Sequence, residues 1–509
     1  MKNYIFILIL FVFFMSCSSN KKDIIPKYEP TWESLAQHNE EPQWFQDAKF
    51  GIYFHWGVYS VPAFGSEWYP RSVNYEGGSE YKYHVEKYGN LSKFGYHDFV
   101  PMFKAENFDA KEWADLFAKA GARFAGPVAE HHDGFSMWAS KVTPWNTFDK
   151  GPKRDITGEL EKEIRANGMK LITTFHHARN LQRYKGKEEE EMAGSDNIRM
   201  KFWNSHYPLF EGTPQTLDDP KLNYLYGNIP EEKWLEEVWF GKLKEVIDNY
   251  QPDIIWFDSW LDQIPEEYRQ KFCAYYLNEA EKLGKEVVII RKQNDLPLET
   301  TVDDLEKSRK NRLEEKSWMT DETLSKGSWC YTQDLEIKET TDVLHVLIDI
   351  VSKNGVLLLN ISPMANGTIP ENQRRVLLEI GEWLNKYGEA IYETRPWYTY
   401  GEGPTIEPEG NFENHQEFLK IKYSEKDIRY TTKGKIIYAT ILGNPGTNQK
   451  ILLEAFAKNK LIETIEIKKV SIPGNSSAID FNITENGLVI QTNDNPDDEM
   501  AVVFKIEIK

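Results

Sequence analysis

The chain has 509 residues, enough for one large core and a second domain. Hydrophobic residues make up 40% and charged residues 28%, the balance of an ordinary globular protein rather than a disordered one. A formal net charge of -19 argues against nucleic acid or an anionic membrane surface as a partner, and 16 tryptophans fit either a large core or carbohydrate stacking.

Lys2 precedes an apolar run, Ile5 to Met15, that is too short to span a bilayer and has the form of a secretory leader. The run closes at Ser16-Cys17-Ser18-Ser19. A Cys behind a small residue at that point resembles the lipobox of bacterial lipoproteins, with Phe14 where Leu is usual. Lipidation of Cys17 would anchor the protein in the cell envelope, in the outer membrane or facing the periplasm; secretion with ordinary cleavage nearby is the alternative. The stretch up to residue 30 reads as leader plus polar tether. Beyond it only Cys273 and Cys330 remain, too few for a disulfide framework.

Residues 31–396 alternate short apolar strands with amphipathic helices, the pattern of βα units around a parallel sheet. Strands are expected at 50–55, 123–130, 170–175, 254–257, 286–290, 317–320, 328–331 and 356–361. Helices are expected behind the caps Asp109 and Asp155 and over 231–250, 265–283, 341–352 and 371–387. A long irregular excursion runs from Ala178 to Ile229. Its acidic run, Glu188 to Glu191, is either a solvated face or part of a loop that shapes access. Seven or eight βα steps point to a (β/α)8-like barrel with irregular members. Past residue 396 the texture changes to strand-like segments at 435–441, 461–472, 487–490 and 501–508, the last alternating cleanly. This predicts a C-terminal antiparallel β-sandwich over 397–509.

The expected strand ends deliver His55, His131-His132, His176-His177, Asp258 and Arg291. In a βα-barrel the C-terminal ends of the strands carry the chemistry. Asp258 ends the apolar run Ile254-Ile255-Trp256-Phe257 and is flanked by Trp256 and Trp260, although a lone Asp there would also serve as a helix cap. Two chemistries compete for the histidines. They could hold a metal, but such barrel sites usually take a His-x-His pair from one strand, and adjacent residues in extended backbone diverge. Otherwise neutral imidazoles and Arg291 bind the hydroxyls of a sugar ring, with Trp56, Trp68 and Trp256 as apolar walls.

Several motifs then fall into one order and spacing. They are Phe50-Gly51-Ile52-Tyr53-Phe54-His55-Trp56-Gly57, Ser66-Glu67-Trp68-Tyr69-Pro70-Arg71, Glu130-His131-His132-Asp133-Gly134-Phe135 and Trp256-Phe257-Asp258. Val351-Ser352-Lys353-Asn354-Gly355, Leu357 to Pro363, Gly367-Thr368-Ile369-Pro370 and Gly388 to Tyr392 add to them. Over residues 32–397 this set resembles the α-L-fucosidases of glycoside hydrolase family 29. The resemblance implies a barrel followed by a β-sandwich, a fucosylated glycan as substrate, and no metal or organic cofactor. It implies a retaining exo-α-L-fucosidase with Asp258 as nucleophile and Glu306 as acid/base, Glu314 and Glu315 being the nearby rivals. His55, Glu67, Trp68, His131 and His132 match the family's fucose-binding positions, Trp256 and Trp329 its aromatic ones, and His176 and Arg291 are carried over beside them. Two departures bear on specificity: Thr174-Phe175-His176-His177 replaces a Tyr-Tyr-Ser type sequence, and Arg291-Lys292-Gln293 replaces an Asn-Asp-Arg run. A relative acting on another sugar such as galactose is one alternative; a glycan-binding lipoprotein without activity is another, which the retained Asp258, Glu306 and histidines argue against.

Overall fold

The computed structural model describes residues 26–75, 77–180, 220–227, 229–258, 261–410, 415–461, 465–474, 478–492 and 498–509. The leader with Cys17, the acidic run and Trp260 lie outside the described residues.

Eight parallel strands close into a barrel: β1 (Phe50–Phe54), β2 (Phe124–Glu130), β3 (Lys170–Phe175), β4 (Ile254–Phe257), β5 (Val288–Arg291), β6 (Val302–Asp304), β7 (Trp318–Thr323) and β8 (Gly355–Ile361), with β8 pairing back onto β1. These strands are buried on both faces, which is why they read as continuous apolar runs rather than as alternating ones. Helices Ala110–Lys119 and Ile156–Ala166 start where Asp109 and Asp155 cap free backbone N–H groups with their carboxylates. The helix expected over 231–250 is continuous but contains a π-helical stretch, Trp234–Phe240, that buries Trp234 and Trp239.

One expected element is missing and an unexpected one takes its place. Residues 328–331 form no strand, and only Cys330 bridges to His55. The barrel strand that fills the place is β6, three residues long and two-thirds aspartate, so no apolar run announces it.

Beyond the barrel's last helix (Glu371–Tyr387) the strands are antiparallel. β9 (Arg395–Glu402), β10 (Ile428–Lys433), β11 (Ile436–Ile441), β13 (Ile467–Ser471) and β16 (Val502–Ile508) form one sheet in the order β13-β16-β11-β10-β9. β12 (Lys450–Leu453), β14 (Phe481–Thr484) and β15 (Gly487–Gln491) form a second. Tyr430, Val470 and Phe504 from the first sheet share a core with Leu453, Leu488 and Ile490 from the second.

One irregularity places the site. The β2–β3 register slips between Val128 and Glu130, a β-bulge near the barrel's rim. Val128 faces the interior, so regular alternation would turn Glu130 inward as well. Instead Glu130 pairs alongside Phe175, takes the ammonium of Lys242 at 2.6 Å, and accepts from the Ser136 hydroxyl at 2.5 Å. Both partners of the ion pair are fully buried. Lys242→Met would leave Glu130 as an uncompensated buried charge, and the expected loss of unfolding free energy is roughly 3–5 kcal/mol. Denaturant titration checks this; a loss below about 1 kcal/mol, the value of an exposed pair, would show that the pair does not hold the bulge.

Candidate active site

One row of side chains in the barrel interior includes Tyr53, Val128, Ile172, Trp256, Ile290, Val302, Met319 and Leu358, above a row with Phe124, Ile254, Val288 and Val356. Strand side chains alternate between faces, so two residues further along each strand the inward position recurs at the C-terminal mouth. On β1, β4 and β5 that position is His55, Asp258 and Lys292. On β3 it is Thr174 and then His176, and on β8 it is Asn360. The bulge in β2 shifts the count by one and turns His131 inward. On β6 the inward positions after Val302 are Asp304 and Glu306, and on β7 Asp321 follows Met319. Glu306 lies past the end of β6 yet remains in the ladder: Leu305 N donates to Met319 O at 3.0 Å and Lys307 N to Asp321 O at 2.9 Å. Lys307 then takes a left-handed φ of 45° and ends the strand path.

The centre of this mouth is Lys292. Its ammonium lies 3.0 Å from Asp258 Oδ1, 2.8 Å from Glu306 Oε2 and 3.3 Å from Asp321 Oδ2. Two oxygens that touch one nitrogen lie no farther apart than the sum of those distances, about 5.8 Å for Asp258 and Glu306. Burial alone would push Asp258 up, but the charge of Lys292, aided by His176 and His132, carries it well below the usual carboxylate range. Burial would likewise strip Lys292 of its proton, and the surrounding carboxylates Asp321, Glu306 and Asp258 overcome that and hold it charged. Beneath them burial pushes Asp304 well above the ordinary carboxylate range, its neighbour Asp321 pushes it further, and burial raises Asp321 as well. Tyr53 donates its hydroxyl to Asp321 at 3.1 Å.

Histidines line the other side. His132 Nε2 and His176 Nδ1 each stand 3.3 Å from Asp258 Oδ2. The His55 ring lies 5.4 Å from His131 and 5.2 Å from His176, and His131 lies 4.6 Å from His176, between centroids. Asn360 fixes the His55 tautomer. Its amide donates to Trp329 O at 2.7 Å and to Thr323 at 3.0 Å, so its oxygen faces His55 Nδ1 at 2.8 Å and must accept. Nδ1 therefore carries the proton and Nε2 presents a lone pair. Burial, with the neighbouring rings, drives His55 and His131 well below the usual imidazole range, and burial drives His132 down to about 3. Trp68, half-buried, lies over His132 at 4.3 Å and 30°. Glu67 accepts from Ser328 Oγ and Trp329 N, both at 3.1 Å, and so ties Trp329 to the rim.

Several expectations need correction. Arg291 sits on the opposite side of β5 from Ile290, bonded to Asp303 at 3.2 Å and Leu296 O at 2.5 Å; the inward residue is Lys292. Alternation from Ile290 carries that signal in the sequence. Trp256 is fully buried against Tyr53 and forms the floor under Asp258 rather than a wall beside it. Trp56 packs with Phe103, Phe108 and Trp113 in the core outside the barrel. The divergence expected of adjacent histidines holds for His177, which turns away to Trp239, but not for His131-His132, which follow the end of β2 in a turn and both reach the site. Glu314 and Glu315 lie at the barrel's other end, where their carbonyls accept from Asn354 just before β8. Asp304, Asp321 and Asn360 belong to the site and were not read from the sequence.

A closed parallel barrel with paired carboxylates and polar rings at its C-terminal mouth is the frame of a barrel glycoside hydrolase. Residues 14–389 match the family model Alpha-L-fucosidase, and the chain belongs to that family. It is similar to human plasma alpha-L-fucosidase, 30% identical over 488 residues that cover 91% of this chain and 88% of that protein. Rat tissue alpha-L-fucosidase is 32% identical over 428 residues, 82% of this chain and 79% of its own length. The fold matches that of Thermotoga maritima alpha-fucosidase with a TM-score of 0.71 at 28% identity, over 94% of this chain and all of that one; that protein has been solved with fucose and with a mechanism-based inhibitor.

The buried neutral histidines have a consequence for stability. For His132 and His177, both brought to about 3 by burial, the folded protein binds fewer protons than the unfolded chain at any pH between about 3 and 6.5. Their contribution is complete above pH 6.5 and is lost as pH falls, by about 2 kcal/mol per histidine at pH 5. Thermal melts should therefore shift downward steeply from pH 7 to pH 5. A melting temperature flat across that range would contradict neutral burial of these rings.

Proposed function

We propose that the protein is a retaining exo-α-L-fucosidase that releases terminal α-L-fucose by double displacement. The observation that carries this is the shared ammonium, which keeps the Asp258 and Glu306 oxygens within about 5.8 Å. Retaining enzymes hold their two carboxyl groups about 5–5.5 Å apart, whereas inverting ones leave roughly 6.5–9.5 Å for a water between them. Asp258, ionised and only partly exposed at the mouth, attacks the anomeric carbon. The bond to the leaving oxygen breaks, and that oxygen takes the proton of Glu306. In the second half Glu306 removes a proton from water, the water oxygen attacks the same carbon, and the Asp258 carboxylate leaves. Two inversions give retention.

Neutral imidazoles both donate and accept, which suits the vicinal hydroxyls of a sugar. His55, His131 and His132 are assigned to that task with Glu67, His176 joins them as a hydrogen-bonding ring, and Trp68 and Trp329 cover the sugar. The support is their convergence on Asp258 together with the fucose complex of the Thermotoga relative. The leader and Cys17 support a lipid-anchored protein of the cell envelope. No helix among the described residues is long and apolar enough to cross a membrane.

Asp258→Ala should fold normally, because the side chain is small and partly exposed, and turn over no aryl α-L-fucoside. Retention of more than a small fraction of wild-type activity would displace Asp258 from the role. Glu306→Ala separates the two halves of the reaction. An activated aryl fucoside departs without protonation, so the fucosyl intermediate forms and then stalls for want of a base. Azide needs no deprotonation and should release it as the α-fucosyl azide. A β-azide, or rescue seen at Glu314 or Glu315 variants and not at Glu306, would overturn the assignment.

A further inference from the structure

The same mouth has the makings of a transition-metal site. His55, His131 and His176 come from the ends of three neighbouring strands, and one nitrogen of each lies within 4.8 Å of one nitrogen of the others. His132, His176 and Asp258 form a second such set, with His176 common to both. Around a tetrahedral Zn2+ with bonds of 2.0–2.1 Å, neighbouring ligand atoms stand about 3.4 Å apart. The second set already has that edge: His132 Nε2 and His176 Nδ1 are each 3.3 Å from Asp258 Oδ2. In the first set the atoms lie within 4.8 Å of one another, so closing onto an ion would need the rings to move inward.

The rings are prepared to ligate. Asn360 holds the proton of His55 on Nδ1 and leaves Nε2 as a donor of its lone pair, the usual outer-shell arrangement of a metal-binding histidine. His131 Nδ1 and His176 Nε2 are buried and have no hydrogen-bond partner among the described residues. The three residues are 2–4% exposed. Two cations oppose an ion here: Arg179 acts on His132, and Lys292 engages Asp258 Oδ1 while both rings address Oδ2.

We propose that this histidine cluster binds Zn2+ or a similar imidazole-seeking dication in the place assigned to the sugar, and that the ion is an inhibitor rather than a cofactor. An ion on either set occupies His176. On the second it also ties up Asp258, so it excludes substrate instead of assisting attack. Hard cations that prefer oxygen ligands, such as Mg2+, find too few oxygens here.

The test uses the full chain, with Co2+ absorbance as a readout that needs no turnover. CoCl2 should give the visible bands of tetrahedral cobalt, at one ion per chain, and saturating L-fucose should bleach them. ZnCl2 should raise the apparent KM for an aryl α-L-fucoside about tenfold with kcat unchanged. EDTA should reverse this, and MgCl2 should do nothing. His176→Phe should abolish the cobalt bands, and His131→Phe should weaken them. Absence of bands in the wild-type protein, bands that fucose does not displace, or bands that survive His176→Phe would each overturn the proposal. Where a variant does not fold, displacement by fucose in the wild type decides. Loss of activity in EDTA, restored by Zn2+, would also overturn it by making the ion a cofactor. An inactive protein that still shows bands would sink the assigned catalytic function and leave the metal site standing.

Discussion

The chemistry depends on one buried cation. Lys292 is almost wholly removed from water, a position that costs several kcal/mol for an isolated ammonium. It remains charged because three carboxylates lie within 3.3 Å. The dependence is mutual, since without Lys292 those carboxylates would repel one another in a low-dielectric mouth. Below it, burial pushes Asp304 and Asp321 up from the ordinary carboxylate range, and their closeness adds to the rise of Asp304. A barrel end built in this way fixes the separation of Asp258 and Glu306 through a common partner rather than through the stiffness of two separate loops.

That node was the part of the site least legible in the sequence. Long apolar strands announced themselves, and so did the histidines at their ends, because His55, His176 and Asp258 each follow an unbroken buried run. Lys292 was hidden by a choice of one residue: Arg291 ends the same strand, but period-two alternation from Val288 and Ile290 selects its neighbour. β6 failed for a different reason. Its inward residues are Val302 and Asp304, and a three-residue strand with two aspartates carries neither length nor hydrophobicity as a signal. Its place is dictated by β5 and β7 on either side, which is tertiary information. His131 depended on a bulge, and a bulge is a shift of register between two strands that neither strand shows alone.

The C-terminal sheets take part in holding the stretch that follows Glu306. The segment from Leu305 to Ser317 has no helix to pack it onto the barrel, unlike the connection after β2. It is secured from two directions. Thr320 of β7 donates its hydroxyl to the carbonyls of Leu305 and Ser308. Arg309, three residues past Glu306 and 3% exposed, stands 3.6 Å from Asp349 on the barrel helix Thr340–Ser352. Asp349 is fully buried and also takes Lys353 at 2.8 Å and Arg429 of β10 at 2.6 Å. Glu407, in the connection after β9, closes the cluster by pairing with both Lys353 and Arg429. Three cations and two carboxylates are thereby buried where barrel and sheet meet. Breaking such a network by removing one member is costly, because the remaining charges cannot be rehydrated. The sandwich thus does more than follow the barrel in the chain. Through Asp349 and Arg309 it ties down the unhelical stretch that follows Glu306, by a contact made about 120 residues later in the sequence, at Arg429.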